Sequence, residues 1–93
     1  MKELEIFYLT GCPYCRHARM AVEELLAENP AYNEISLRWI EENEEKELAD
    51  SRDYYRVPSI YFKGEKLYEA GRGDTLDEIK AQFQAAFDRA LAG

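Results

Sequence analysis

The sequence predicts an α/β domain of order β-α-β-α-β-β-α, with a four-stranded mixed sheet flanked by three helices. Three observations carry that prediction. The apolar run Ile6-Phe7-Tyr8-Leu9 leads into Cys12-Pro13-Tyr14-Cys15 and then into a helical pattern, so a strand, a short turn and a helix follow one another. An apolar segment opening at Val57-Pro58 is followed by Lys63-Gly64-Glu65 and a second short segment, which reads as a hairpin. Thr75-x-x-Glu78 is a capping-box pattern that opens a final amphipathic helix. A helical crossover makes the first two strands parallel, and the hairpin adds an antiparallel pair.

In chain order, residues 3–9 form the first strand, with Phe7 and Leu9 implying burial on both faces. Thr10-Gly11 is the turn. The first helix runs from Pro13 to Glu28 on a broad apolar stripe of Ala18, Met20, Ala21, Val22, Leu25 and Leu26, and Asn29-Pro30 stops it. Ile35, Leu37 and Trp39 alternate with polar residues, so Asn33 to Trp39 reads as a strand with one wet face and Trp39 in the core or at the sheet edge. Glu41 to Asp53 reads as a strongly acidic helix docked through Leu48 and Ala49; its charges form a solvated face or, alternatively, a dock for a basic partner. Val57 to Phe62 is the third strand, Lys63-Gly64-Glu65 the hairpin loop, and Lys66 to Ala70 the returning strand. Gly71-Arg72-Gly73 breaks the sheet. Thr75, with Asp74 as rival cap, opens a helix whose buried face is Leu76, Ile79, Phe83, Phe87 and Ala90.

The 93 residues make a single domain, 1–93, and a chain that is 46% hydrophobic and 13% aromatic fills a core without needing a disulfide. Nineteen acidic against twelve basic residues give a net charge of −7, the opposite of a nucleic-acid binder's balance. No apolar run approaches the roughly 20 residues needed to span a membrane, and Met1 to Glu5 lacks the apolar centre of a signal peptide. A cytoplasmic protein is therefore expected, in a compartment where a cysteine pair is usually catalytic.

Cys12 and Cys15 are the only cysteines. Cys12 falls where a helix begins, and the unpaired N–H groups and partial positive charge there favour a thiolate. A free cysteine titrates at about 8.5, whereas Cys-x-x-Cys motifs at helix starts reach roughly 3.5–7.5. Pro13 suits the first helical position, where its missing N–H has no partner to lose. Cys15 lies one turn further in, within reach of a mixed disulfide on Cys12. Cys12 is thus read as the nucleophile and Cys15 as the resolving thiol. A static disulfide closing so short a loop would add little stability. A structural zinc site usually needs four ligands, and the chain offers Cys12, Cys15 and His17. No metal is expected.

This order, with Cys-Pro-Tyr-Cys after the first strand, Val57-Pro58 at the third and a glycine turn before the last helix, resembles the glutaredoxin family of the thioredoxin fold over nearly the whole chain. The resemblance implies a cis Pro58 beside the nucleophilic sulfur, with Pro13 and Tyr14 supporting the active site. It implies glutathione held by the Val57 backbone and by Gly71, Gly73, Asp74 and Thr75, where a helix N-terminus suits a carboxylate. Three departures stand out: Leu9 where many relatives carry lysine, Arg56 where many carry threonine, and Arg72 where many carry a second glycine. Arg56 and Arg72 either replace the missing positive contact or are ordinary surface arginines. Arg16 is grouped with them in one positive groove. Tyr14 borders that groove or is an exposed turn residue, and His17 is read as a surface helix residue rather than a base.

The resemblance implies thiol–disulfide exchange on glutathione mixed disulfides or protein disulfides. Glutathione would be co-substrate, no cofactor would be bound, and the protein would be a monomer serving cell redox homeostasis. Its partners would be glutathione and disulfide-containing or glutathionylated proteins, with neither nucleic acid nor membrane. One alternative is a redoxin reduced by a flavoprotein reductase. Another is a dimer bridging an iron–sulfur cluster through Cys12 and two glutathiones, which Cys15 and Pro13 argue against.

Overall fold

Leu4, Ile6 and Phe7 have no exposed surface, because the first strand, β1 (Glu3–Tyr8), is interior to the sheet. The computed structural model describes residues 2–93. β1 pairs in parallel with β2 (Ser36–Glu41), from Glu3 opposite Ser36 to Tyr8 opposite Glu41. On its other side β1 runs antiparallel to β3 (Ser59–Phe62), which pairs antiparallel with β4 (Glu65–Glu69). The strand order is β2-β1-β3-β4. Alternation along β1 sends Leu4 and Ile6 to the face covered by α1 (Pro13–Glu28) and α3 (Leu76–Ala92). Phe7 points to the opposite face, where Ile40, Tyr61 and Ala49 of the short α2 (Lys46–Asp50) close over it. The fold is the predicted one, a four-stranded mixed sheet with three helices.

Several expected boundaries shift. The strand expected from Asn33 begins at Ser36, because Pro30–Glu34 is a 3₁₀ segment. Pro30 lies in its first turn, the Asn29 side chain accepts from the Ala31 N–H at 3.1 Å, and Tyr32 is buried with its hydroxyl donating to Asp88 at 2.6 Å. The helix expected over 41–53 shrinks to Lys46–Asp50, since Glu41 ends β2 and residues 42–45 form turns. The third strand starts at Ser59 rather than Val57, and Glu65 belongs to β4. The hairpin turn is only Lys63-Gly64, both with positive φ (51° and 82°), the geometry of a tight two-residue connection. α1 and the Thr75 capping box lie where the sequence puts them.

Candidate functional site

The first strand delivers the chain to Leu9, and Gly11 at φ +86° turns it into α1. Such a positive φ suits glycine because it has no Cβ to clash. Cys12 is the N-cap residue of α1, extended at φ −80° and ψ 125°, and Pro13 follows in the first turn. The Cys12 N–H donates to the Leu9 carbonyl at 3.2 Å, and the Cys12 carbonyl accepts from Arg16 N–H at 3.1 Å. Both cysteines are free thiols; Cys12 is half-buried and Cys15 is buried. Burial pushes the Cys15 thiol up to about 12; a backbone hydrogen bond from Leu9 opposes this, and hydrogen bonding with and charge on Cys12 add to it. The pair therefore offers one accessible sulfur with a second, protonated one beneath it.

Two carboxylates hold the segments that carry this chemistry. Glu41, buried at the end of β2, accepts from the Thr10 N–H at 3.2 Å and from the N–H groups of Asn43 and Glu44. Those backbone donors, Thr10 first, hold its carboxyl below the ordinary carboxylate range. Glu41 thus fastens the β1–α1 turn, two residues before Cys12, to the far end of β2. Glu69 on β4 accepts from both Tyr55 N–H and Arg56 N–H at 2.8 Å, while its other oxygen takes Lys66 Nζ at 2.8 Å. The Lys66 ammonium, followed by the backbone donors, lowers its pKa. This carboxylate fixes the residues just before the Val57–Pro58 peptide, which is cis. Pro58 is fully buried, and its carbonyl accepts from Ala70 N–H at 3.0 Å.

Two cavities open at this end of the sheet. One, of about 260 Å³, gathers Tyr14, Arg56, Val57 and Gly71, together with Tyr55 and Glu42. The other, of about 320 Å³, contains both cysteines, Arg16 and Arg19, with Tyr8 and Leu9 as its wall. Of the residues that the resemblance assigns to glutathione, the structure brings Arg56, Val57 and Gly71 together. Arg72, Gly73, Asp74 and Thr75 line neither cavity.

Several of their polar groups already have partners. Gly73 N–H donates to the Tyr14 hydroxyl at 2.9 Å. Asp74 accepts from Gly71 N–H at 2.8 Å and from the Tyr68 hydroxyl at 2.5 Å, which hold its carboxyl below the usual range, the hydroxyl first. Thr75 N–H donates to Glu78 within the capping box. Arg16, expected in one groove with Arg56 and Arg72, faces the other cavity, because one turn of α1 past Cys12 points to the Tyr8 side. Tyr14 is a groove residue as well as a tie to the turn before α3. His17 lines neither cavity, and its Nδ1 is buried without a hydrogen-bond partner among the described residues.

The clamps Glu41 and Glu69, the cavity residue Glu42 and Arg19 were not singled out from the sequence. Glu41 and Glu42 begin an acidic run that reads as solvated, and only the turn after β2 reveals that Glu41 points inward. Among the described residues no three His, Cys, Asp or Glu side chains converge as a metal site, and no helix is long and apolar enough to cross a membrane.

A family model described as a thioredoxin domain matches residues 2–84. Among solved structures, thioredoxin 1 from the thermophilic eubacterium Thermosipho africanus TCF52B superposes with a TM-score of 0.60 at 13% identity, covering 96% of this chain and 98% of that one. At that identity the likeness concerns the fold. Among curated proteins none matches.

Proposed function

Because this chain belongs to the thioredoxin-domain family, we propose that it is a dithiol oxidoreductase that reduces disulfides through Cys12 and Cys15. The observation that carries this reading is the stacked pair itself: a half-buried Cys12 capping α1 over a buried Cys15 whose thiol is held protonated. Cys12, as thiolate, attacks one sulfur of a substrate disulfide, forms a mixed disulfide and expels the other half as a thiolate. Cys15 then loses its proton to solvent or to the departing thiolate and attacks the Cys12 sulfur. A Cys12–Cys15 disulfide forms, and the second substrate thiolate leaves. The substrate gains two electrons and the protein loses two. Burial is the main cause that holds Cys15 protonated, and a charge on Cys12 adds to it. Capping Cys12 as a mixed disulfide removes that smaller contribution and leaves the burial in place.

For the return of electrons, the glutaredoxin-like form of the reading takes glutathione as reductant, in the cavity at Val57 with Arg56 as a carboxylate partner. Support for it comes from the Cys-Pro-Tyr-Cys motif and from the gathering of Arg56, Val57 and Gly71 beside Tyr14. A second reading, reduction by a flavoprotein reductase, is favoured by a specific observation. The N–H groups of Gly71, Gly73 and Thr75, which would hold a glutathione carboxylate, already donate within the chain. The test supplies oxidised protein with a disulfide substrate and either glutathione with glutathione reductase or a thioredoxin-type flavoprotein reductase, following NADPH. Turnover with glutathione is expected. Turnover only with the flavoprotein reductase puts the second reading first, and turnover with neither contradicts both.

A further inference from the structure

Arginine pairing is uneven across this molecule. Of the chain's seven arginines, Arg38, Arg52 and Arg89 form ion pairs with glutamates. Among the described residues Arg16, Arg19, Arg56 and Arg72 have no carboxylate within ion-pair distance, and all four lie at or beside the dithiol or the turn facing it. The cavity at Val57 offsets its arginine with Glu42, whereas the cavity containing both sulfurs holds Arg16 and Arg19 and no carboxylate. In a protein of net charge −7 these two lining cations stand out, with Glu41 behind Thr10 and the charge of Glu42 reaching Cys15 as the nearby carboxylates.

The two guanidinium groups are differently held. Arg19 lies 3.8 Å from the centre of the Trp39 ring and 5.0 Å from that of Tyr8, and the two rings meet edge to face. A cation–π contact of this kind holds the guanidinium by its carbon over the rings and uses no N–H–carboxylate pairing. Arg16, one turn earlier on α1, is exposed, and among the described residues its side chain donates no hydrogen bond. Backbone donors nearby are already engaged, Thr10 N–H with Glu41 and Cys12 N–H with Leu9. What the cavity offers is therefore an apolar wall and side-chain cations, which suits a side-chain carboxylate better than a peptide backbone.

We propose that this cavity is an anion subsite for protein substrates, taking an Asp or Glu side chain that neighbours the substrate's disulfide cysteine, with its carboxylate between Arg16 and Arg19. The inference rests on the disulfide-reducing reading and supplies its substrate class: disulfides in acidic segments.

The test uses the full chain and two short peptides closed by the same disulfide, one flanked by Glu and one by Gln. For the wild type, kcat/KM for the acidic peptide is expected to exceed that for the neutral one by about tenfold at low salt, as befits two charge-assisted contacts. The ratio is expected to approach one in Arg16→Gln/Arg19→Gln and to fall part of the way in Arg16→Gln, which leaves the Trp39 stack in place. A ratio cancels any loss of folded enzyme. In parallel, fluorescence of Trp39, the sole tryptophan, is titrated with the reduced forms of both peptides. Arginine-dependent preference for the acidic peptide in this titration supports the subsite even if neither peptide is turned over, and that outcome would remove the catalytic reading instead. A wild-type ratio near one, or a ratio unmoved by the double substitution, overturns the subsite. So does an equal KM rise in the double variant for glutathione mixed disulfides of both peptides, which would make glutathione the occupant.

Discussion

Cys15 is where a single residue's surroundings bear most on the chemistry. Its burial holds the thiol protonated up to about 12, against about 8.5 for a free cysteine. A raised folded-state value means that the protonated thiol favours the folded state: this contribution is complete below about pH 8.5 and disappears as pH rises through about 12. In Cys12→Ser protein, where burial still acts, iodoacetamide should modify Cys15 at pH 9 at least about tenfold more slowly than in denaturant, a one-unit shift being a factor of ten. A native-state profile with its midpoint near 8.5 would contradict the burial argument. At this scale the sequence is informative about Cys12 and Cys15, whose spacing after the first strand puts one at the start of α1 and the other in its first turn. It is silent about Glu41 and Glu69. A glutamate's letter does not tell whether its carboxylate meets water or backbone N–H groups, and both clamps depend on partners brought in by the fold.

Secondary-structure elements are legible where capping chemistry marks their ends. Cys12-Pro13 and Asn29-Pro30 bracket α1, and Thr75 with Glu78 opens α3, in each case because side chains or a missing N–H decide which backbone donors go unpaired. Thr75→Ala should remove one such acceptor and cost about 1 kcal/mol, lowering the thermal midpoint by roughly 4–8 °C for a chain of this size. An unchanged midpoint would mean that the box contributes nothing to α3. The element boundaries that slipped lie around β2. Alternation through Ile35, Leu37 and Trp39 extends the strand pattern backward over residues that Pro30 and the Asn29 side chain commit to a 3₁₀ turn. Forward, the acidic letters read as a solvated helix, although Glu41 is still in the sheet and its carboxylate ties down the following turn. Local propensity cannot register an interaction with Thr10, which lies 31 residues away.

At the scale of the whole molecule, the strand order and helix count follow from the succession of elements, since a parallel crossover and a tight hairpin leave few arrangements. The charge distribution does not. Arg52 finds Glu5 across 47 residues, and only after such pairs are formed do the unpaired arginines stand out around the dithiol. The division of labour proposed for the two sulfurs follows from the junction of β1 and α1. It is tested most directly by trapping. Cys15→Ser protein, mixed with a disulfide peptide and analysed by intact mass, should accumulate one mixed disulfide, mapped to Cys12. Cys12→Ser protein under the same conditions should accumulate none. An adduct on Cys15 in the latter, or no adduct on Cys12 in the former, would contradict the assignment of nucleophile and resolving thiol.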